Sequence, residues 1–519
     1  MPQIVDIRVV PAALTVHSTH IRKITKKLRI SPKKIREMRL LRRSIDARKK
    51  QVVYVLRYEV WVNEDAPPVE EWDFPMEKVD DARPVLVVGF GPAGMFAALR
   101  LIELGMKPIV IERGKGVRER RRDLAALNKE GQVNPESNYC FGEGGAGTFS
   151  DGKLYTRSKK RGDVRRVLEI LVKHGATREI LIDAHPHIGT NKLPKIIQSV
   201  RETILAHGGE IHFNTKLEDL RISDGHLQAA QLNGNWVDAK ALILATGHSA
   251  RDIFALIQRK SLSVEAKPFA LGVRVEHPQP LIDEIRYHHA PRHEKLPAAA
   301  YALVEQVQDR GVYSFCMCPG GIICPASTAE GELVVNGWSP SKRNSPFANS
   351  GIVVEVRAED LAPYAAEGDF AGIALQKAVE TQAYEAGGGK QVAPAQRLID
   401  FVEGRISQDL PDCSYLPGLR ATDVSDVLPK SIAERLQMGF RHFGQKLKGY
   451  LSNEALVVAT ESRTSSPVRI PRGKEDLMHP QAAGLFPCGE GAGYAGGIMS
   501  AAMDGERCAE AAVRFLGDL

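Results

Sequence analysis

An alternating pattern of hydrophobic and polar positions in the first 72 residues predicts strands. Residues 4–10 alternate in this way, and residues 52–62 do so again. Between these two strands, Ser31 followed by Pro32 is typical of the start of a helix. Hydrophobic residues then recur at helical spacing, at Ile35, Met38 and Leu41. We therefore expect a small α+β domain at the N-terminus.

Short hydrophobic runs separated by helical patterns begin at residue 85, after a proline-rich and acidic linker at 63–75. The runs that predict strands are VLVV at 85–88, PIVI at 108–111, LILAT at 242–246 and the approach to GLFPCGE at 484–490. Strands that alternate with helices favour a largely parallel sheet.

The middle of the chain has a different pattern. Residues 261–340 contain the strand-like stretches ALGVRVEH, GVYSFCMC and GELVVNGW. We expect them to form a mostly antiparallel sheet that is inserted into the parallel-sheet domain. A mainly helical region is expected to follow at 360–449.

Length and composition fit a globular protein of two or three domains, because 519 residues are too many for one core and 43% are hydrophobic. The opening residues lack the pattern of a secretory signal, and no hydrophobic run reaches membrane-spanning length. The seven cysteines show no disulfide framework. We expect a cytoplasmic protein with no membrane contact.

Positive charge is concentrated near the N-terminus. The net charge is +7, but residues 21–50 hold fourteen Lys and Arg against two acids, so the rest of the chain is slightly acidic. Such a cluster favours contact with nucleic acid through residues 20–50, although basic faces are more often simply solvated. Nucleic-acid binding is therefore an alternative and not the leading interpretation.

A glycine fingerprint stands directly after the strand predicted at 85–88. Gly89 allows the tight turn, Gly91 lets the backbone approach a pyrophosphate, and Gly94 permits close packing of helix and strand. Glu112 ends the next predicted strand, where a carboxylate accepts hydrogen bonds from a ribose. Together these features predict a dinucleotide site. Its adjoining contacts are expected from Pro92, Ala93 and Arg113.

Two further glycine-rich segments extend this site. In FGEGGAGTFSDGK, the backbone at Gly144 and Gly145 offers N–H groups and Thr148 and Ser150 offer hydroxyls, although a flexible surface loop is the alternative. Near the C-terminus, Glu490 follows Gly489 and suits a ribityl hydroxyl. The backbone of residues 491–498 suits a pyrophosphate and a flavin carbonyl, with contacts expected from Gly496, Gly497 and Ile498. A site split between both ends of the chain indicates FAD.

The chain resembles FAD proteins of the p-hydroxybenzoate-hydroxylase-like class. The resemblance rests on GPAG with a following ERG, the strand end Ala245-Thr246-Gly247 and the C-terminal GEGAG. More narrowly, GEGGAGTFSDGKL, HIGTNKL, GVRVEHPQ, FCMCPGG, VVNGWS and ESRTSSPVRI are similar to a bacterial family of FAD-dependent dehydrogenases or NAD(P)/FAD-dependent oxidoreductases, whose substrate is unassigned. The similarity runs almost the whole chain and implies FAD as cofactor. The pair Gly489-Glu490 departs from the commoner Gly-Asp.

We therefore predict an α/β protein in which a Rossmann-like FAD-binding domain carries an inserted, mixed but largely antiparallel sheet domain and a helical region. The predicted domains are 1–80 for the basic N-terminal α+β domain and linker, 81–255 for the first part of the FAD-binding domain, 256–477 for the inserted substrate or catalytic domain, and 478–519 for the C-terminal part of the FAD-binding domain.

Candidate catalytic residues come from three segments. His187, like its neighbour His185, is an acid/base candidate, although either ring could be satisfied within a turn. Arg274 and Glu276 share one face of a predicted strand and suit an anionic or polar substrate, or else form an ordinary ion pair. Arg463 stands in ESRTSSP, shortly before the C-terminal cofactor strand, which favours contact with substrate or flavin, and a solvated polar turn is the alternative.

The cysteines Cys316, Cys318 and Cys324 form a C-x-C with a third cysteine six residues on. This spacing does not match a structural zinc site, which usually shows two separated pairs. A catalytic dithiol of the disulfide-reductase type would lie in the FAD domain, beside its first helix. We predict no metal, and a functional thiol here or at Cys140 is a minor hypothesis.

The leading prediction is an FAD-dependent oxidoreductase, a dehydrogenase or reductase, that acts on a small organic substrate. No second G-x-G-x-x-G follows a later strand, so NADH or NADPH would dock transiently or the electrons would come from elsewhere. The alternatives are an RNA-acting flavoprotein that uses the basic N-terminal domain, and a flavin-binding protein whose redox state regulates contact with a partner.

Overall fold

The N-terminal domain is a three-stranded antiparallel sheet with one helix. The computed structural model describes residues 1–69, 74–156 and 161–517, so residues 70–73 of the predicted linker lie outside the described residues. The elements of this domain are β1 (Gln3–Val9), α1 (His17–Leu28), β2 (Ile35–Asp46) and β3 (Val53–Val62). The sheet order is β1-β3-β2, and both pairings are antiparallel.

The helix predicted after Ser31 is wrong. Only a single turn of 3-10 helix forms there, at Pro32–Lys34, and the following residues pair with β3 as a strand. Two register shifts, between Ile35 and Glu37 and between Leu40 and Arg42, mark bulges in β2. A bulge inserts an extra residue and so breaks the period of two, which is why the hydrophobic spacing of this strand imitates a helix.

The N-terminal domain is packed firmly against the rest of the protein. Its buried side chains belong to the same hydrophobic cluster as those of residues 269–356. Arg43 also makes a two-pronged ion pair with Asp183, at 2.6 and 3.1 Å, and its backbone N–H donates to the carbonyl of Ile182. The first domain is therefore continuous with the core of the body.

The next segment supplies most of a parallel sheet and its helices. Its elements are β4 (Pro84–Val88), α2 (Pro92–Glu103), β5 (Lys107–Ile111), α3 (Val117–Glu130), α4 (Val164–Lys173), α5 (Leu193–Ala206), β6 (Glu210–His212), β7 (Leu217–Ser223), β8 (His226–Leu232), β9 (Asn235–Asp238), β10 (Leu242–Leu244) and α6 (Arg251–Arg259). The strands β7, β8 and β9 form a small antiparallel sheet of their own.

The inserted segment forms a second large sheet. Its elements are β11 (Glu265–Ala266), β12 (Phe269–Pro278), α7 (Gln279–Tyr287), β13 (Val304–Val307), β14 (Arg310–Cys318), β15 (Ile322–Pro325), β16 (Val335–Trp338), β17 (Phe347–Val356), α8 (Ala371–Gly387), β18 (Ala393–Arg397), α9 (Leu398–Glu403), β19 (Leu419–Ala421), α10 (Lys430–Lys446), β20 (Leu456–Glu461) and β21 (Val468–Arg469). The order is β13-β14-β17-β12-β20-β18-β19, and only β18 and β19 pair in parallel. The region expected to be mainly helical thus contains two of these strands as well.

The chain then returns to the parallel sheet through β22 (Leu485–Pro487) and α11 (Ile498–Gly517). The completed sheet has the order β22-β10-β4-β5-β6 with every neighbouring pair parallel. Helix α11 crosses α2 so closely that a Cβ at Gly505 would lie 2.0 Å from the carbonyl oxygen of Ala93. This crossing brings the C-terminal glycines beside the first glycine turn. With its parallel and antiparallel sheets and their helices, the fold is mixed α/β.

No helix within the described ranges is both long and apolar enough to span a membrane.

Candidate active site

A deep cavity opens at the carboxyl ends of the parallel strands, where ligands bind in open α/β sheets. Its lining includes fifteen of the residues expected to hold a cofactor: Gly89, Gly91, Pro92, Ala93, Glu112, Arg113, Gly145, Ser150, Ala245, Thr246, Gly247, Gly489, Glu490, Gly497 and Ile498. The inserted domain closes the other side with Cys316, Val334, Val335, Asn336, Glu461 and Arg463. The two domains therefore share one cavity.

The first glycine turn is shaped by backbone contacts. Gly89 has φ of 103°, and a Cβ there would lie 2.4 Å from the carbonyl oxygen of Ala245. A Cβ at Gly94 would lie 1.8 Å from the carbonyl oxygen of Gly89, so Gly94 packs the helix on the turn and does not line the cavity. Gly91 is different, because the nearest atom to its Cβ position is 3.8 Å away. Its missing side chain leaves open space at the start of α2, which fits a pyrophosphate.

Glu112 connects three turns around the cavity. One carboxylate oxygen accepts the N–H of Phe90 at 2.9 Å, and the other accepts those of Gly114 and Gly142 at 2.8 and 2.9 Å. Its side chain is buried but still borders the cavity. A carboxylate has about four lone-pair sites, so room remains to accept a ribose hydroxyl.

The glycine-rich loop at 141–153 is held by an arginine that the sequence did not single out. Arg120, on α3, is fully buried. Its guanidinium donates to the carbonyls of Asn138, Tyr139, Glu143 and Gly145 at 2.8–2.9 Å and to the hydroxyl of Thr148 at 3.2 Å. Burial lowers the pKa of Arg120 to about 10. The loop is thus an ordered wall and not the flexible surface segment that was the alternative.

Three expected contacts in the glycine-rich segments lie away from the cavity lining. Thr148 is fully buried, and its hydroxyl donates to the carbonyl of Glu143. Gly144 has φ of 77°, and a Cβ there would lie 2.2 Å from the Thr148 hydroxyl, so it is required by the loop itself. Gly496 precedes the cavity-lining Gly497. Gly144 and Thr148 therefore shape the wall of the cavity, whereas Gly496 only neighbours a lining residue in the sequence.

The C-terminal turn faces the first one across the cavity. Glu490 accepts the backbone N–H of Gly497, and its second oxygen lies 3.6 Å from Nε2 of His248. Burial lowers the pKa of His248, and the charge of Glu490 opposes this shift. Sequence reasoning missed His248, although its place directly after the strand end Ala245-Thr246-Gly247 is a usable signal, since parallel sheets bind ligands there.

A buried arginine fixes this turn from behind. Among the described residues, the ligand atoms of Cys488, Asp504 and Cys508 lie within 4.8 Å of one another, as in a metal site. Arg472 donates to both oxygens of Asp504 at 3.0 and 2.6 Å and to the sulfur of Cys508 at 3.3 Å. The Asp504 carboxylate also accepts the N–H of Gly489 at 2.8 Å. The Arg472 guanidinium therefore supplies the positive charge at this cluster. Through Asp504 it holds the Gly489 turn in place.

Glu461 is the acidic group on the inserted side of the cavity. It ends β20, is 2% exposed, and pairs with Arg274 at 2.6 Å. Burial raises the pKa of Glu461 to about 7, although Arg274 opposes the shift. A carboxyl group with this pKa exchanges its proton near neutral pH, as an acid/base catalyst must.

Arg463 lines the cavity two residues later, but its charge is already balanced. It donates to Glu380 and Glu332 at 2.9–3.0 Å and to the Thr328 hydroxyl at 2.7 Å. Burial alone would raise the pKa of Glu380, but Arg463 and Arg251 outweigh it and hold that pKa at about 2. Arg463 is therefore a fixed wall of the site with little free charge.

Lys153 is a cavity-lining cation that sequence reasoning left unassigned, and its charge acts on Glu461. Its ammonium donates to the carbonyl of Met317 and lies 3.9 Å from Asp151. Asp151 is in turn bound by Arg343 at 2.8 Å. Burial lowers the pKa of Lys153, but the nearby cysteines and Asp151 outweigh this and raise it, so the group stays charged.

The other catalytic candidates lie outside the cavity lining. His187 is half-buried, and its Nε2 lies 3.1 Å from the carbonyl oxygen of Ser341, which is 154 positions further along the chain and therefore outside the turn that was the alternative. Glu276 is bound through both oxygens by Ser414. Arg274 is fully buried one layer behind the wall and contacts Glu461 and the carbonyl of Cys316. Arg274 is thus a positioning residue.

Comparison with known proteins agrees with this geometry. Residues 268–464 match the family described as "FAD-dependent protein, C-terminal domain-like", and residues 1–61 match a domain of unknown function, DUF8436. An uncharacterized protein of Clostridium beijerinckii is 42% identical over 509 residues, which cover 94% of each chain.

Solved structures are much more distant. A geranylgeranyl bacteriochlorophyll reductase-like protein from Thermoplasma acidophilum is 13% identical, with 86% of this chain and 80% of that chain covered and a TM-score of 0.35. The protein CtdE in complex with FAD and a substrate is 10% identical, with 84% and 80% covered and a TM-score of 0.32. Glycine oxidase from Geobacillus kaustophilus is 12% identical, with 52% and 72% covered and a TM-score of 0.29. At such low TM-scores these likenesses carry no argument.

Proposed function

Because the chain belongs to the same family as the Clostridium beijerinckii protein and has FAD as its cofactor, we propose that it oxidises or reduces a small organic substrate. The substrate would lie between the flavin and the inserted sheet. One observation carries the proposal: a single cavity is lined both by the glycine turns that fit FAD and by the ionisable groups Lys153 and Glu461. A site that only stored a flavin would not need an acid/base group of matched pKa.

FAD, when bound, supplies the centre that accepts or donates the hydride. The open space at Gly91 and the starts of α2 and α11 suit the pyrophosphate, because helix N-termini favour negative charge. Glu112 suits the ribose at one end, and Glu490 suits the ribityl chain at the other.

Glu461 is the group that we propose to move the proton. Its pKa of about 7 means that both protonation states are populated at neutral pH. Arg274 would keep the carboxyl group directed at the cavity through their 2.6 Å contact. Positioned proton transfer of this kind contributes roughly 10²–10⁴-fold to a rate.

Lys153 suits a negatively charged substrate group. Arg463 is paired with two carboxylates, those of Glu332 and Glu380. Lys153 has one carboxylate nearby, that of Asp151 at 3.9 Å. We therefore propose an anionic substrate, such as a small carboxylate, in preference to a neutral one. Transient docking of NADH or NADPH remains our proposal for the electron source or sink, because the sequence has no second dinucleotide fingerprint.

The test has two stages. Purified protein that carries extractable FAD is first titrated anaerobically with NADH and with NADPH while the yellow flavin band is followed. The reduced flavin is then mixed with small keto carboxylates, the oxidised flavin is mixed with small hydroxy and amino carboxylates, and the neutral amide of each compound is run beside it. We expect carboxylates to reoxidise or reduce the flavin faster than their amides.

A matched pair of variants isolates the proton-transfer group. Glu461→Gln should keep its FAD but slow flavin turnover by roughly 10²-fold or more. Glu454→Gln, at an exposed glutamate shortly before β20, should leave the rate unchanged. Protein without FAD would refute the proposal as a whole. No bleaching by either nicotinamide would refute the proposed electron source, and equal rates for Glu461→Gln and the natural protein would remove Glu461 from the mechanism.

A further inference from the structure

The C-x-C sequence at the end of β14 places one sulfur at the cavity and a second sulfur behind it. Cys316 lines the cavity and is exposed, whereas Cys318 is fully buried behind it. A register shift between Phe315 and Cys318 marks a bulge in β14, and Cys316 within it has φ of 47°. A positive φ is uncommon for a residue other than glycine, and bulges redirect side chains beside active sites.

The bulge curls the chain so that the two cysteines face each other. The Cys318 thiol lies 3.3 Å from the carbonyl oxygen of Cys316 and within hydrogen-bonding reach of its sulfur. Arg274 donates to the same carbonyl at 2.8 Å and so holds the curled conformation. In a flat strand, residues two apart would be separated by about 6.6 Å along the chain, which is less suited to a sulfur pair.

A positive charge lies beside the exposed sulfur. The ammonium of Lys153 lies 3.8 Å from the Cys316 sulfur and 3.9 Å from the Cys318 sulfur. The hydrogen bond from Cys318, followed by Lys153 and Arg274, lowers the pKa of Cys316 well below its ordinary range. The same hydrogen bond and burial raise the pKa of Cys318. One thiolate and one thiol side by side are the arrangement needed for thiol–disulfide exchange.

The remaining cysteines are less suited to exchange at the cavity. Cys488 and Cys508 also lie close together beside a guanidinium, but both are fully buried and neither lines the cavity. Cys140 also borders the cavity, but it is half-buried and approaches the carbonyl of Ala326 at 3.9 Å. Burial raises the pKa of Cys324 above its ordinary value, and it does the same for Cys413. The chemistry of a reactive sulfur is therefore concentrated at Cys316.

We propose that Cys316 and Cys318 form a redox-active dithiol that exchanges an electron pair with FAD, and that the substrate of this cavity is a thiol or disulfide compound. This inference rests on the proposed oxidoreductase function and names its substrate class. An anionic disulfide carrying a carboxylate would also satisfy the charge of Lys153.

The exchange balances in either direction. When the dithiol is oxidised, the Cys316 thiolate and the Cys318 thiol form one S–S bond with loss of the Cys318 S–H bond, and the two electrons and one proton released convert FAD to its anionic two-electron-reduced form. In the reverse direction the reduced flavin returns the electron pair and the proton to the disulfide. An external disulfide is attacked by the Cys316 thiolate, which releases one thiol, and Cys318 then displaces the second thiol. The sum is one disulfide, one anionic reduced FAD and one proton converted to two thiols and oxidised FAD.

The decisive measurement is the number of reducing equivalents that the oxidised holoprotein accepts. In an anaerobic dithionite titration, the natural protein should take up about twice as many equivalents per FAD as Cys318→Ser, because the disulfide and the flavin each accept an electron pair. Cys413→Ser, which removes a thiol away from the cavity, should behave like the natural protein. If Cys318→Ser does not fold, Cys316→Ser replaces it, since that side chain is exposed.

A second readout does not depend on flavin turnover. Protein that has been oxidised with a small disulfide is alkylated, and its peptides are analysed by mass spectrometry. Cys316 and Cys318 should both be protected from alkylation by a disulfide bond between them, and dithiothreitol should remove this protection. The inference is overturned by equal equivalents in the natural protein and Cys318→Ser, or by Cys316 that remains free to alkylate after oxidation. It is also overturned if the bond forms but its reduction never alters the flavin spectrum.

The two proposals fail separately. If small carboxylates turn the flavin over while the cysteine pair stays inert, the dithiol is refuted and the oxidoreductase stands. If the protein holds no FAD, the oxidoreductase is refuted together with the exchange that rests on it, whereas the alkylation pattern still reports on the sulfur pair itself.

Discussion

Replacing Arg120 by Met tests whether the glycine-rich loop is held in shape from inside the protein. The guanidinium has five N–H groups, and the structure uses five acceptors, of which four are backbone carbonyls of residues 138–145, at and just before the start of the loop. Thr148 also donates to two of these carbonyls, those of Glu143 and Gly145. The loss therefore falls mainly on the carbonyls of Asn138 and Tyr139. A buried acceptor left unpaired costs about 1–3 kcal/mol, so the free energy of unfolding should fall by about 2–6 kcal/mol.

The assay compares stability and cofactor retention in the same variant. Urea unfolding of the apoprotein measures the loss of stability, and the fluorescence of released flavin measures FAD affinity. Because Gly145 and Gly147 of this loop line the cavity, we expect FAD affinity to fall at least about tenfold, which corresponds to about 1.4 kcal/mol. Arg118→Met, on an exposed face of the same helix, should change neither quantity. An Arg120→Met protein as stable as Arg118→Met would refute the proposed bracing.

Three further predictions address the site and the basic domain. Burial raises the pKa of Glu461 to about 7 from 4.5, so the folded state binds the extra proton and loses stability as pH rises through this window. The free energy of unfolding of the natural protein should therefore fall by about 2 kcal/mol more than that of Glu461→Gln when the pH is raised from 5 to 8, as measured by urea unfolding. Gly94→Ala places a Cβ 1.8 Å from the Gly89 carbonyl oxygen, so the purified protein should lose its flavin absorbance. Charge reversal at the exposed Lys23 and Lys26 should leave the rate of flavin reduction unchanged in stopped-flow measurements, and a slower rate would place α1 in the catalytic path.

The glycine turns could be predicted because their requirements are local. The positive φ of Gly89 and the close approach of Gly94 follow from a strand that turns into a helix within a few residues. The acids Glu112 and Glu490 could be singled out because each lies shortly after the end of a strand of the parallel sheet. Their hydrogen-bonding partners could not be found in this way, since Gly142 reaches Glu112 from thirty residues further along the chain.

The inserted side of the cavity was less predictable because its geometry depends on the pairing of distant strands. Arg274 and Glu276 were correctly read as strand residues, but the sequence does not tell which layer of the sheet faces the cavity. Pairing of β12 with β20 places Glu461 in front of Arg274, and the bulge in β14 turns Cys316 outward. Neither the pairing nor the bulge has a signal in the local residue pattern. The bulges of β2 caused the same kind of error when its spacing was interpreted as helical.

The packing of the N-terminal domain decides how its role can be tested. Deleting residues 1–80 would remove more than a basic surface, because Val5, Ile7 and Leu56 are buried in the same cluster as strands β12 and β17. Full burial of one such side chain contributes about 1.5–3 kcal/mol, so the deletion would uncover enough apolar surface to destabilise the rest of the protein. Loss of activity in a truncated protein would then say nothing about RNA or a partner. Twelve of the fourteen basic residues between 21 and 50 are exposed, so substitutions at their charges leave the core intact. Only such substitutions can separate a binding role of this domain from its contribution to the fold.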